Sequence, residues 1–223
     1  MLSARLSTVG VVSESTAGVE PVLREQWDRL RGWIEDERVL ERAAEPSGLG
    51  GWTVGDLVVH LGYGIRMVAE VTAATDREPI PLTDYVAGYA PARDQIAEDT
   101  SVVAASLRGR ELAGIDEMAA EAWRALDAGL PPVVLGRRGP LRRDDFLVTR
   151  LLEVVTHGDD LHRLLGSDHP SPLLPGAVDR VAQVLADGYR AVTGRPAGWT
   201  GVELIRVATG RTTTDDPAMP LLS

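Results

Sequence analysis

Two side chains that can bind a metal ion lie one helical turn apart in the stretch Arg150–His162. Glu153 and His157 are four residues apart, so in a helix both side chains leave the same face. A carboxylate and an imidazole placed in this way can hold one side of a metal ion. An ordinary polar contact on a partly exposed helix would show the same spacing, because such pairs are common.

A third candidate ligand, His60, lies far upstream in a second helical pattern. The segment Thr53-Val-Gly-Asp56 predicts a capping box that starts this helix, which is expected to run to about residue 74. His60 lies one residue off the buried stripe of this helix. Glycine inside a helix costs roughly 1 kcal/mol against alanine. We therefore expect that Gly62 and Gly64 leave open space beside the imidazole of His60.

His60, Glu153 and His157 together form a set of two imidazoles and one carboxylate. Helical bundles often build metal sites from inward-facing side chains on different helices. Three protein ligands leave coordination positions open, which is typical of catalytic rather than structural zinc sites. These ligand types favour zinc and are also compatible with nickel, iron or manganese.

Apolar residues recur at three- and four-residue steps along most of the chain, which predicts a mostly helical protein. Helices are expected over about 21–44, 53–74, 92–128 with a break near Gly109, 141–165, 176–192 and 199–209. Proline-rich segments at 76–92 and 131–140 are expected to be loops, with at most a short strand at 133–135. Four long helices with almost no strand signal indicate a helical bundle.

The composition excludes several classes of function. A net charge of −10 over 223 residues argues against sequence-independent nucleic-acid binding, which needs a basic surface. The absence of cysteine excludes disulfides and a cysteine nucleophile, and the absence of lysine excludes Schiff-base chemistry and a P-loop. No apolar run approaches the roughly 20 residues of a membrane helix, and no signal peptide is evident. We expect a cytoplasmic protein without a membrane partner.

Two motifs resemble a known family. The segment Trp52-Thr-Val-Gly-Asp-Leu-Val-Val-His60-Leu resembles the "GWTvrdlvaHL" signature of the DinB-like superfamily, and more narrowly that of the mycothiol-dependent maleylpyruvate isomerase family. The segment Arg150-Leu-Leu-Glu-Val-Val-Thr-His-Gly-Asp-Asp-Leu161 is similar to the "RlxExxxHgxDL" signature of that family. The resemblance covers about residues 20–165, and Ile205-Arg-Val-Ala-Thr-Gly-Arg211 is similar to a closing motif of many members. The larger αβ C-terminal domain of the isomerase is missing or reduced here.

The resemblance implies an all-α fold, a DinB-like four-helix bundle with an extra C-terminal helix or helices. It divides the chain into a mobile tail at 1–18, a metal-binding bundle at 19–166 and a short C-terminal helical segment at 167–223. Carried over by residue, His60, Glu153 and His157 would be the metal ligands. Asp160 would accept a hydrogen bond from the second ring N–H of a metal-binding histidine. The capping box already explains Asp56.

The function implied by the resemblance uses a divalent metal that binds mycothiol, a low-molecular-weight thiol, as its thiolate. The thiolate would act as nucleophile in an isomerisation or an S-transfer on a small electrophilic or unsaturated acid. The partners are then a small-molecule thiol and a small-molecule substrate. Arg206 and Arg211 are the candidate cofactor-binding residues, because an arginine can bind a carboxylate.

Two other readings remain open. A metal-bound water could make the protein a hydrolase, with a base that the sequence does not identify. Alternatively, the bundle could be a non-catalytic metal- or ligand-binding module with a stress-response or partner-binding role. A homodimer formed through helix faces is compatible with each reading.

Two further expectations concern a group of arginines and the remaining histidines. The arginines at positions 137, 138, 142 and 143 form a basic cluster, which is either a solvated face or a site that attracts an anionic thiol or acid. His162 is expected at the surface, and His169 has no evident partner in the sequence.

Overall fold

The computed structural model describes residues 18–87 and 93–222, and within these ranges the chain forms eight α-helices and one small sheet. The helices are α1 (Val19–Asp36), α2 (Val54–Glu70), α3 (Leu82–Ala87), α4 (Arg93–Leu107), α5 (Glu111–Ala128), α6 (Arg143–Leu165), α7 (Pro175–Thr193) and α8 (Gly201–Ala208). A short 3-10 turn, Val39–Arg42, joins α1 to α2. Helix, counting the 3-10 turn, accounts for 64% of the described residues, and the expected all-α, DinB-like fold is confirmed. The expected mobile tail lies almost wholly outside the described residues.

Helix α2 lies at the centre of the bundle, where it packs against α4, α5 and α6, while α1 packs against α6. The α2–α5 contact is the most extensive in the fold, and Gly62 makes it close. A Cβ atom on Gly62 would lie 2.6 Å from Cγ2 of Ile115 and 2.9 Å from its Cα. The expectation that Gly62 leaves space beside His60 is therefore wrong, because this glycine serves helix packing.

The start of α2 is set by the predicted capping box. The hydroxyl of Thr53 accepts a hydrogen bond from the backbone N–H of Asp56 at 3.2 Å, and Oδ2 of Asp56 accepts from the N–H of Thr53 at 2.9 Å. Caps of this kind typically contribute about 1 kcal/mol. The cap thereby helps to hold the first two turns of α2, which carry His60, in place.

The sheet has three short antiparallel strands, β1 (Thr72–Ala73), β2 (Val133–Gly136) and β3 (Gly139–Arg142). Only part of β2 was expected, because strands of two to four residues carry almost no periodicity. Pairing of Gly136 with Gly139 leaves Arg137 and Arg138 in the hairpin turn. Since β1 directly follows α2 and α6 directly follows β3, the sheet ties this hairpin to both helices.

The segments around α3 and α4 partly follow the predicted boundaries. The break near Gly109 is confirmed, because α4 ends at Leu107 and α5 begins at Glu111, with Gly109 at φ +79°. The loop expected at 76–92 contains α3, so that expectation is wrong in part, and its residues 88–92 lie outside the described ranges.

Helix α6 is enclosed by the bundle over most of its length. Its 23 residues are buried over most of the stretch from Phe146 to Leu161, and the buried set includes polar and charged side chains: Thr149, Arg150, Thr156, His157, Asp159 and Asp160. Buried charged groups need partners, because an unpaired one is costly. No helix in the described part of the chain is both long and apolar enough to cross a lipid bilayer.

Candidate metal centre

The three ligands expected from the sequence converge in the structure. One ligand atom from each of His60, Glu153 and His157 lies within 4.8 Å of the other two. Nε2 of His60 lies 3.5 Å from Oε2 of Glu153, and Nε2 of His157 lies 3.4 Å from the same oxygen. The two imidazole rings are nearly perpendicular, with centroids 4.8 Å apart. The side chains are 8–15% exposed, so the cluster is largely shielded from water.

Hydrogen bonds at the other ring nitrogens explain why both Nε2 atoms face Glu153. Nδ1 of His157 lies 2.9 Å from Oδ2 of Asp160, and Nδ1 of His60 lies 3.1 Å from the hydroxyl of Thr100 on α4. Histidines that bind metals usually donate their second N–H to an oxygen acceptor, which fixes the tautomer and the ring orientation. The contact between Asp160 and the second ring nitrogen of His157 is as expected. Sequence reasoning missed Thr100, because nothing in its own helix marks it.

The electrostatics of the cluster differ between the two imidazoles. Burial lowers the pKa of His60, and the nearby carboxylate of Glu153 offsets this only in part. Burial would also lower the pKa of His157, but its hydrogen bonds to Asp160 and Glu153 outweigh burial and raise it. Burial would raise the pKa of Glu153, yet hydrogen bonds from His157 and His60 hold it well below its ordinary value. The cluster therefore keeps an ionised carboxylate between one neutral imidazole and one that binds a proton readily.

Asp160 is itself held by an arginine from the C-terminal segment. Arg211 donates to both carboxylate oxygens of Asp160, from Nη2 at 2.8 Å and from Nε at 3.1 Å. Burial would raise the pKa of Asp160, but the bonds from His157 and Arg211 lower it to about 2. The ionised carboxylate must therefore accept from both partners, which makes Nδ1 of His157 the protonated nitrogen.

Arg206 forms a similar bidentate ion pair with the carboxylate beside Asp160. Its Nε and Nη2 atoms each lie 2.7 Å from an oxygen of Asp159, the neighbour of Asp160 on α6. The structure thus places both arginines predicted to bind the cofactor on carboxylates of α6. Arg211 also lines the cleft described below. Their predicted role toward a ligand stays a prediction.

The donor set fits a divalent metal ion. The two Nε2 atoms point at one carboxylate oxygen, and the opposite nitrogens are already engaged by Thr100 and Asp160. Two imidazoles and one carboxylate are a common set for catalytic zinc and are also suitable for other first-row metals. The three residues could therefore hold a metal ion with positions left for a ligand from solution.

Two cavities meet at this cluster, and both are lined by His60, Glu153 and Ile96. The larger is an open cleft of about 1040 Å³, lined among others by Trp52, His157, Asp160, Arg163 and Arg211. The smaller has a volume of about 120 Å³ and lies between α2, the β2–β3 hairpin and α6. The cluster is thus accessible from two directions with different surroundings.

The remaining histidines lie apart from the cluster. Nε2 of His162 is hydrogen-bonded to the carbonyl of His169 at 2.9 Å, and its ring packs edge-on against Trp33. Nδ1 of His169 lies 2.6 Å from a carboxylate oxygen of Glu37. The expectation that His169 lacks a partner is wrong, because its partner is 132 residues away in sequence. His162 is half-buried rather than at the surface.

The arginine cluster is divided by the fold. Arg137 and Arg138 lie in the hairpin turn and line the smaller cavity, while Arg143 forms a close ion pair with Glu20 of α1. Arg137 and Arg138 therefore lie apart from Arg143, and the predicted attraction of an anionic thiol or acid to these arginines stays a prediction.

Comparison with known proteins gives one match. A family described as the mycothiol maleylpyruvate isomerase N-terminal domain matches residues 23–162, more than half of the chain. The matched stretch contains all three residues of the cluster. No curated protein and no solved structure matched the chain in the two other comparisons.

Proposed function

Because this chain belongs to the family of mycothiol maleylpyruvate isomerase N-terminal domains, we propose that it is a divalent-metal-dependent enzyme that uses a low-molecular-weight thiol, mycothiol, as its nucleophile. In this proposal His60, Glu153 and His157 are the metal ligands, with zinc the favoured ion. The acceptor is a small electrophilic or unsaturated acid, and the reaction is an isomerisation or an S-transfer. The observation that carries the proposal is the convergence of three ligand atoms at the floor of an open cleft.

A bound divalent metal would lower the pKa of a thiol so far that the thiol is present as a thiolate. The protein would supply the residues that orient the metal ligands and balance the metal charge. Asp160 and Thr100 orient the two imidazoles, and Glu153 supplies one negative charge that balances part of the metal charge. The absence of cysteine is in keeping with an external thiol.

The large cleft is suited to a thiol cosubstrate of considerable size. Its volume of about 1040 Å³ exceeds what a single small acid needs, since typical small-molecule sites measure about 300–1,000 Å³. Charged side chains line it, among them Asp94, Arg163 and Arg211, and these can bind the polar part of a hydrophilic thiol. The same cleft gives the thiol direct access to the metal ligands.

The accessible cluster favours this proposal over a purely structural metal. Structural sites have four protein ligands and closed coordination, whereas only three candidate ligands converge here among the described residues. A hydrolytic reaction would need a separate general base, because Glu153 is already part of the ligand set.

The proposal is tested by single-turnover assays with the metal-loaded protein, mycothiol and a panel of unsaturated and electrophilic acids. We expect a thiol adduct or a geometric isomer that forms only with metal and thiol both present. The matched control is His60→Ala, which removes a ligand and should abolish the reaction. Equal product formation with and without metal, or by the control variant, would refute the proposal, as would the absence of any product across the panel.

A further inference from the structure

The smaller cavity beside the metal cluster is a candidate for a second binding site. Its volume is about 120 Å³, and an engineered apolar cavity of about 150 Å³ is known to hold benzene. Apolar and aromatic side chains form most of its wall, including Met67, Tyr85, Leu135 and Phe146. His60 and Glu153 form the side that faces the large cleft.

Gly64 keeps this cavity open. It is a buried residue inside α2, where glycine costs roughly 1 kcal/mol against alanine. A Cβ atom on Gly64 would meet nothing within 4 Å, beyond its chain neighbours and the backbone of its own helix. By contrast, Gly62 on the same helix has Ile115 at 2.6 Å, so helix packing requires that glycine. Since packing does not explain Gly64, the empty volume that it borders is the remaining structural reason for it.

A buried guanidinium gives the cavity a positive wall. Arg150 is 6% exposed, donates from Nη1 to the carbonyl of Gly64 at 3.1 Å, and lies with its Cζ 5.4 Å from the ring centroid of Phe146. Arg138 contributes from the hairpin turn, where its Cζ lies 4.7 Å from the ring centroid of Tyr85. Both arginines are therefore held in place among aromatic side chains that also line the cavity.

The charges around the cavity favour an anion. The described residues that line it include three arginines, Arg137, Arg138 and Arg150, and two glutamates, Glu70 and Glu153. Arg137 is also paired with Asp99 at 2.9 Å, which leaves Arg138 and Arg150 as the guanidinium groups closest to a ligand's charge. A divalent metal at the cluster would add two positive charges beside Glu153. A carboxylate could accept from the guanidinium groups of the wall and offset part of the metal charge, whereas an uncharged ligand would offset none of it.

We infer that the smaller cavity binds the acid substrate, and that it selects a compact, planar monocarboxylate with a body no larger than benzene. Planar conjugated groups suit the aromatic wall, because stacked and edge-to-face contacts with Tyr85 and Phe146 stabilise them. The carboxylate is held on the arginine side. The thiol and the acid thus approach the cluster from two different cavities. This inference rests on the proposed function for the reaction, but acid binding itself requires only the cavity and the metal, and no thiol.

The experiment uses benzoate as the probe and benzamide as its uncharged counterpart, with the affinities of the full-length metal-loaded protein measured by calorimetry or ligand-detected NMR. Gly64→Leu fills the cavity. Gly32→Leu is the matched control, because a Cβ on Gly32 of α1 also meets nothing within 4 Å. We expect wild type and Gly32→Leu to bind benzoate alike, and Gly64→Leu to bind it about tenfold or more weakly. Benzamide should bind wild type more weakly than benzoate. Equal benzoate affinity of wild type and Gly64→Leu, or no binding by wild type, would overturn the inference.

A second measurement needs no variant and covers the case in which Gly64→Leu does not fold. With manganese in the cluster, the ring protons of bound benzoate should relax faster than with zinc, because the cavity adjoins the metal ligands. No enhancement would mean that benzoate binds elsewhere, and the inference would fail.

The two proposals can fail separately. If wild type binds no mycothiol but shows the expected benzoate pattern, the proposed function fails and the cavity assignment stands. If wild type reacts with mycothiol but Gly64→Leu binds benzoate normally, the assignment fails and the proposed function stands.

Discussion

Nδ1 of His157 lies 2.9 Å from Oδ2 of Asp160, one turn further along α6. This contact turns Nε2 of His157 toward Glu153 and thereby completes the cluster. Because Arg211 holds the same carboxylate, the orientation of a candidate metal ligand depends on a residue from the C-terminal segment.

Removal of a candidate ligand should remove the metal. We expect wild type to hold about one divalent ion per chain, and His60→Ala, Glu153→Ala and His157→Ala each to lose most of it. Elemental analysis of the purified proteins measures this. His162→Ala is the matched control, since His162 lies on the same helix but bonds the carbonyl of His169. Metal retained by all three ligand variants would show that the ion binds elsewhere.

Removal of the carboxylate behind His157 should weaken metal binding without abolishing it. Asp160→Asn should lower metal affinity about 10–100-fold, because partners of a ligating histidine typically have effects of this size. Asp159→Asn is the control at the neighbouring position, since Asp159 pairs with Arg206 rather than with one of the three candidate metal-binding residues. Competition titration with a chelator measures both affinities. The same loss in both variants would mean that the effect comes from general destabilisation of α6.

Arg206 should contribute to stability through Asp159. The carboxylate of Asp159 is only 5% exposed, so Arg206→Ala leaves a buried charge without its bidentate partner. We expect a loss of about 1–3 kcal/mol in the free energy of unfolding, below the value for a fully buried pair because Arg206 is 34% exposed. Denaturant unfolding measures this loss. Arg190→Ala is a near-neutral control, because the side chain of Arg190 is 60% exposed.

The same variant also tests the sequence-based role of Arg206 toward the cofactor. If that role holds, mycothiol affinity of the metal-loaded protein should fall in Arg206→Ala. Unchanged thiol affinity together with lower stability would restrict Arg206 to a structural role.

Two glycines of α2 should respond in opposite ways to the same substitution. Gly64→Ala should stabilise the protein by up to about 1 kcal/mol, because its Cβ meets only open space and alanine favours the helix. Gly62→Ala should destabilise it by about 1–3 kcal/mol, because the methyl group would collide with Ile115. Thermal and denaturant unfolding of the pair measure both effects. Similar changes in the two variants would contradict the packing described for α2 and α5.

Metal affinity should fall as the pH is lowered through the raised pKa of His157. Below that pKa, His157 of the metal-free cluster carries a second ring proton, on Nε2. The metal must displace this proton, so metal affinity decreases by about tenfold per pH unit. The pKa of His60 is lowered, so His60 is already neutral in this range and adds a second proton only at lower pH. Calorimetric titrations in buffers of different ionisation enthalpy should show release of about one proton per metal. Release of no proton, or an affinity that rises toward acid pH, would contradict these shifts.

Much of the local structure follows from the sequence alone. The capping box at Thr53 and the break at Gly109 depend on residues close together in the chain, and each was predicted and is found. The four-residue spacing of Glu153 and His157 likewise settles that they share a face once α6 forms. Short-range periodicity and capping are enough for these features, because hydrogen bonds within a helix connect residues only four apart.

The tertiary structure decided the features that join distant parts of the chain. The approach of His60 to Glu153 depends on how α2 packs on α6, and the orientation of His60 depends on Thr100 from α4. The partners of Arg206, Arg211 and His169 could not be predicted, since a charged side chain alone does not indicate which of many opposite charges it will meet. Strands β1 and β3 could not be predicted because such short strands have almost no periodicity, and without β3 the hairpin that brings Arg138 to the smaller cavity could not be predicted either. Helix periodicity thus determined which residues could act together along one element, and the packing of elements determined which of them do.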